Sequence, residues 1–165
     1  MKLQKVELSF KFWVKFLCIL GITLLLDQVI KWSFVLQGYA PGDVIYETPI
    51  ISLLFVYNTG VAFSMFAFLQ GWLKYLQIVL LCGIFFYLLK NKELLVTHCV
   101  SIALIFGAGV SNILDRFLHI GVVDYIFWHY KFEFAIFNFA DVMINVGVFL
   151  ILLQVFLSRN KTKKT

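Results

Sequence analysis

Apolar residues run through this chain in stretches too long and too continuous for the alternating faces of a globular core. Four of them, Phe12 to Leu36, Ala67 to Leu89, Leu94 to Leu114 and Phe139 to Leu157, reach the roughly 20 residues that a helix needs to cross a hydrocarbon layer about 30 Å thick. They predict an all-α polytopic membrane protein, with four transmembrane helices and both termini on the same side. Between the spans lie two outward segments, Gln37 to Phe66 and Asp115 to Asn138. The first holds the turn signal Pro41-Gly42-Asp43 and then Ile50 to Tyr57, an apolar, β-branched run that predicts a strand or a β-like platform on the membrane surface. The second is expected to form a surface helix or loop. Its Tyr125, Phe127, Trp128 and Tyr130 carry amphipathic rings suited to anchoring in the headgroup zone.

Composition supports this reading. The 165 residues are 62% hydrophobic and only 14% charged, against about 25% charged in soluble domains. Two prolines, ten glycines and no repeat or linker leave 1–165 as a single integral membrane domain. Lys2, Lys5, Lys11 and Lys15 before an apolar run resemble the start of a signal peptide. However, no small-x-small cleavage site follows and the run continues to Leu36.

The net charge of +5 does not point to nucleic acid, because the bases gather on no amphipathic face and in no stacking motif. They follow topology instead. Lys2, Lys5, Lys11, Lys15, Lys90, Lys92, Arg159, Lys161, Lys163 and Lys164, ten of the fourteen bases, flank the spans on one side, which predicts cytoplasmic termini. Seven of the nine acids lie in or near the outward connections, so the chemistry is expected at the outer face. Cys18, Cys82 and Cys99 sit in apolar runs without Cys-x-x-Cys spacing and are expected to be buried, inert thiols. Leu80-Leu81-Cys82-Gly83 has the form of a lipidation box, but it lies mid-chain and is read as coincidence.

Ionisable side chains within spans are costly unless paired or hydrated, so each is a candidate for function. Asp27 and Lys31, four apart on one helix face, suggest an ion pair of structural or functional use. Asn112, Asp115 and Arg116 share a face at the end of the third span, where Arg116 has the chemistry to neutralise a carboxylate or to bind a substrate carbonyl or headgroup. Asn138, Asp141 and Asn145 share a face at the start of the fourth, where Asp141 also suits the helix dipole. Asp124 interrupts the apolar, strand-like run Gly121 to Phe127. Two carboxylates brought together at a low-dielectric boundary share one proton, which equips one as a base toward water and the other as a hydrogen-bond donor to a carbonyl. The zinc helix motif, the serine elbow and the phosphate loop are all absent. His98, His119 and His129 are scattered singly, and Ser64 or Ser111 with Lys31 remains an open serine–lysine alternative.

Four blocks in order resemble the bacterial lipoprotein signal peptidase family: Asp27-Gln28-Val29-Ile30-Lys31; Asn58 to Ser64; Gly109 to Asp124, with Asn112-Ile113-Leu114-Asp115-Arg116 and Gly121-Val122-Val123-Asp124; and Phe137-Asn138-Phe139-Ala140-Asp141. The resemblance implies an aspartic endopeptidase with Asp124 and Asp141 as its catalytic pair. It further implies that Asp27, Asn58, Gly60, Asn112, Arg116 and Asn138 shape the site and hold the substrate or the peptide antibiotic globomycin, with Lys31 and Asp115 in support. The implied substrates are prolipoproteins, cut on the N-terminal side of a diacylglyceryl-modified cysteine, with no metal, no cofactor and no covalent enzyme intermediate. The implied location is the bacterial cytoplasmic membrane, with Ile50 to Ser64 clamping the signal peptide from above. Tyr57 stands where many members have histidine, and Val61 where alanine is common. The alternative is a small proton-coupled transporter in which Asp27, Asp115, Asp124 and Asp141 form a relay, although relay acids belong at several depths. A non-enzymatic assembly factor is a third reading, and it leaves the four blocks unexplained.

Overall fold

The computed structural model describes residues 7–60 and 67–162. Helix α1 (Phe10–Leu36) starts at Ser9, whose Oγ accepts from the Phe12 N–H at 3.2 Å, an N-cap that satisfies one of the free donors of the first turn. α2 (Gln70–Lys90), a short α3 (Lys92–Thr97), α4 (Cys99–Leu118) and α5 (Phe139–Thr162) complete the helices. Phe10–Leu36, Gly71–Lys90, Cys99–Leu118 and Phe139–Arg159 are long and apolar enough to span a membrane.

The third span differs from expectation at both ends. A break at His98, whose Nδ1 bonds Gln154 Oε1, separates α3 from α4. At the other end the helix carries Asp115 and Arg116 rather than releasing them into a loop. Both are buried and have partners inside the bundle, so they do not end the helix.

More than half of the apolar stretch of α4 is buried, against less than a quarter in the other spans, and α4 packs on α1, α2 and α5. Glycines let it approach closely. A Cβ on Gly107 would meet the Leu20 carbonyl oxygen at 2.5 Å, and one on Gly147 would meet Ile105 Cγ1 at 2.6 Å. The core at one end of the bundle is Phe16, Leu88, Leu95, Cys99, Ile102, Ala103 and Phe106. Large apolar side chains such as Val79, Leu80, Phe86, Leu152 and Phe156 face outward, as lipid contact requires. Cys18 and Cys82 lie on that outer surface too. Of the three thiols only Cys99 is buried, because the periodicity of an all-apolar helix does not say which side faces the bundle.

At the other end sits an antiparallel sheet of β1 (Val44–Glu47), β2 (Ile51–Asn58) and β3 (Val122–Trp128), in that order. Val56 pairs with Asp124 and Asn58 with Val122, after a register shift beyond Leu53. Phe55, Val123 and Tyr125 pack on Ile30, Phe34 and Val35, which seats the sheet on the end of α1. Tyr125 is therefore not a headgroup anchor. Its ring is buried and stacks on Phe34 at 4.6 Å. The clamp expected over Ile50 to Ser64 is β2 as far as Asn58. Val61 and Ser64 lie outside the described residues, as do Lys2, Lys5, Lys163 and Lys164.

Candidate active site

The last third of α1, the last third of α4, the first turn of α5 and the edge of the sheet converge at one end of the bundle. Behind the site lies a fully buried cation. Lys31 Nζ is 2.7 Å from Asp27 Oδ2, 2.7 Å from Asp115 Oδ2 and 2.7 Å from Asn112 Oδ1, so all three ammonium hydrogens have acceptors. The remaining carboxylate oxygens are satisfied as well. Asp27 Oδ1 accepts from the Ala140 N–H at 2.8 Å, and Asp115 Oδ1 from Gln28 Nε2 at 2.8 Å. Asp115 Oδ2 also takes the Val123 N–H at 3.0 Å, which ties α4 to β3. Burying three charges is tolerable only with such saturation. Asp27, Lys31 and Asp115 are not among the residues lining the two cavities described below.

In front of this cluster stand three asparagines whose amide orientations are dictated by their partners. Because Asn112 Oδ1 accepts from Lys31, its Nδ2 faces Asp141 Oδ1 at 3.0 Å. Asn58 Oδ1 accepts from the Gly60 N–H at 3.0 Å, which turns its Nδ2 to Asp124 Oδ2 at 2.8 Å. Asn138 caps α5: its Oδ1 accepts the Asp141 N–H at 2.9 Å while Asp141 Oδ2 accepts the Asn138 N–H at 3.2 Å, a reciprocal capping box. Its Nδ2 then donates to Asp124 Oδ1 at 2.7 Å. Asn138 therefore touches both acids. The helix-dipole reading of Asp141 and its place in the site are one geometry.

Asp124 and Asp141 both line a cavity of about 710 Å³, together with Asn58, Asn112 and Arg116. Burial and then the neighbouring Asp141 charge push the Asp124 carboxyl up to about 7, against the pull of the Asn58 and Asn138 amides. Arg116 turns its guanidinium to Gln77 Oε1 at 2.9 Å and to the carbonyls of Asn58 and Gly60, so it braces the chain that presents Asn58. Gly121 makes the same approach possible, since a Cβ there would lie 2.6 Å from the Asn58 oxygen.

Several contributors had no sequence signal of their own. Gln28 and Ser111 bond each other and the buried acids, Gln77 holds Arg116, and Tyr125 Oη accepts the Phe139 N–H at 3.0 Å at the start of α5. Burial raises the Tyr125 phenol above its ordinary range, so it stays neutral. The shared face of Asn138, Asp141 and Asn145 and the dipole position of Asp141 were the readable cues to the first turn of α5. The serine–lysine alternative loses its basis at Ser111, whose buried hydroxyl donates to Asp27 Oδ2 at 2.6 Å, and Ser64 lies outside the described residues. Among the described residues no group of three His, Cys, Asp or Glu side chains is arranged to hold a metal ion.

Comparison with known proteins gives the chain a family. The family described as signal peptidase (SPase) II matches residues 19–157. The lipoprotein signal peptidase of Helicobacter pylori (strain Shi470) is 53% identical over 138 residues, 84% of each chain. That of Helicobacter acinonychis (strain Sheeba) is 51% identical over 148 residues, covering 88% of this chain and 90% of the relative. That of Campylobacter jejuni serotype O:23/36 is 47% identical over 152 residues, covering 92% and 91%. Two solved structures, both described as bacterial membrane enzymes determined by the in meso method, superpose with TM-scores of 0.74 and 0.70 at 25% identity. They cover 91% and 85% of this chain and 91% of each solved chain. The transporter alternative finds no support in these relatives or in carboxylates gathered at one end. The chain is a multi-pass membrane protein that shares its fold with these membrane enzymes, and it belongs to the signal peptidase II family.

Proposed function

We propose that this chain, acting as a single membrane domain over 1–165, removes signal peptides from prolipoproteins by an aspartic mechanism. Its relatives carry the name lipoprotein signal peptidase. The observation that carries the aspartic mechanism is the pair Asp124 and Asp141, which face one cavity and are joined through Asn138. The pair holds one proton. Its ionised member takes a proton from water as the water oxygen adds to the carbonyl carbon before the diacylglyceryl-modified cysteine. Its protonated member donates to the developing oxyanion. Collapse breaks the C–N bond, and the proton passes to the cysteine amine.

Val142, Ile144, Val146 and Phe149 of α5 wall the cavity on the side of the spans, where acyl chains and an apolar signal peptide belong. Globomycin, a lipid-bearing peptide, would compete for the same walls. Cytoplasmic termini and a site near the outer face of the bacterial cytoplasmic membrane follow from the lysine and arginine distribution.

The pH profile tests the shared proton. A carboxyl with a raised pKa keeps its proton through acidic pH and loses it as pH rises through about 7. Cleavage of a lipidated precursor is therefore expected to decline above neutrality, with globomycin binding retained where the fold is intact. A rate that does not change between about pH 6 and 9 would contradict a proton held by this pair.

A further inference from the structure

A second cavity, of about 600 Å³, also reaches Asp124. It shares Asn58, Asp124, Phe134, Ala135 and Ile136 with the first, so the two meet at the candidate catalytic carboxylate. Their outer parts differ. The first continues along α5 over Val142, Val146 and Phe149, whereas the second continues away from the spans over Tyr57, Thr59 and Glu133.

The rim between them is fixed by backbone bonds to β3. The Phe134 N–H donates to the Trp128 oxygen at 2.9 Å, and Ile126 and Phe137 exchange bonds of 2.8 and 2.9 Å. Glu133, on that rim, is exposed and makes no ion pair among the described residues.

A peptide bond held at Asp124 has chain on both sides. In the function proposed above, one side is an apolar signal peptide and lipid, and the other is the polar start of the mature protein. We infer that the second cavity is the subsite for the residues downstream of the lipidated cysteine, and that Glu133 makes it favour basic over acidic side chains there. This rests on the peptidase reading. It adds a binding site and a specificity residue to the Asp124 and Asp141 pair.

The test uses the full-length purified protein and synthetic lipopeptides bearing a diacylglyceryl cysteine, with lysine or aspartate three residues downstream. The lysine peptide is expected to have the higher kcat/KM by about threefold at low salt, the scale of an exposed charge contact. The preference should shrink near 1 M salt, where the screening length falls to about 3 Å. Glu133→Lys should invert the preference while leaving a peptide that ends as an amide at the cysteine unaffected. Glu133→Gln, which removes the charge and keeps the size of the side chain, should bring the lysine-to-aspartate ratio close to one and spare the short peptide.

An unchanged lysine-to-aspartate ratio in Glu133→Lys, or equal effects of Glu133→Gln on long and short peptides, would overturn the subsite. Failure of the parent protein to cut any of these peptides would instead overturn the peptidase reading, and the subsite with it.

Discussion

At the scale of single residues, Lys31 holds the most exacting position. It is almost wholly inaccessible, and it joins two buried carboxylates to the amide that faces Asp141. Lys31→Met would leave Asp27 and Asp115 uncompensated, and breaking a buried pair in this way costs about 3–5 kcal/mol. A large fall in thermal stability in detergent is expected, partly restored by adding Asp115→Asn. Equal stability of parent and single variant would mean that the charges are not paired as described. The i, i+4 spacing of Asp27 and Lys31 and the shared helix face of Asn138 and Asp141 were legible, because helical geometry fixes which side chains meet. Gln28 and Ser111 were not. Their partners lie across an interhelical contact that no local spacing encodes.

At the scale of elements, the first turn of α5 has three N–H donors without an acceptor in the helix itself, and each goes to a different part of the molecule. The Phe139 N–H goes to Tyr125 of β3, the Ala140 N–H to Asp27 of α1, and the Asp141 N–H to its own cap Asn138. The helix that carries one acid is thus aligned by the strand that carries the other and by α1. The opposite anchor is the meeting of Gly121 with Asn58. Gly121→Ala would force a Cβ against the Asn58 carbonyl and Thr59, and overpacking of this kind costs about 1–3 kcal/mol. Because that strand end presents an amide to Asp124, the loss should fall on kcat more than on folding. A displacement on the order of 1 Å at a catalytic group can cost about a hundredfold in rate. Near-parental kcat in a folded Gly121→Ala protein would show that Asn58 does not position the acid. The β2 run was visible as apolar, β-branched sequence, and β3 as a strand-like run around Asp124 within a segment expected to form a surface helix or loop. β1 was missed because its four residues, Val44 to Glu47, are mostly exposed and follow no apolar pattern, and it exists by pairing with β2.

At the scale of the whole molecule, hydrophobic length predicted four spans because the bilayer imposes one length on every crossing. The faces of those spans were harder to read. The stretches of α1 and α2 around Cys18 and Cys82 are apolar nearly all round, so both thiols were placed inside when they lie outside. α4 carries a polar and small-residue face, and it is the helix at the centre. The lysines and arginines at the start of α1, between α2 and α3 and after α5 predict those regions on the cytoplasmic side. A cysteine placed near the C-terminus of a Cys-free parent should resist an impermeant thiol reagent in intact cells and react once they are opened. Labelling in intact cells would invert the orientation, and with it the face on which substrate is met.

The acids meet only because β3 and the start of α5 are folded onto the same asparagine, a proximity that the 16 residues between Asp124 and Asp141 in the chain do not announce. The most direct measurement is cleavage of a lipidated precursor by the purified protein and by Asp124→Asn and Asp141→Asn, each checked for folding and for globomycin binding. Loss of turnover by several orders of magnitude in both folded variants is expected, since each removes one half of a shared-proton pair. Near-parental turnover in either would contradict the aspartic pair.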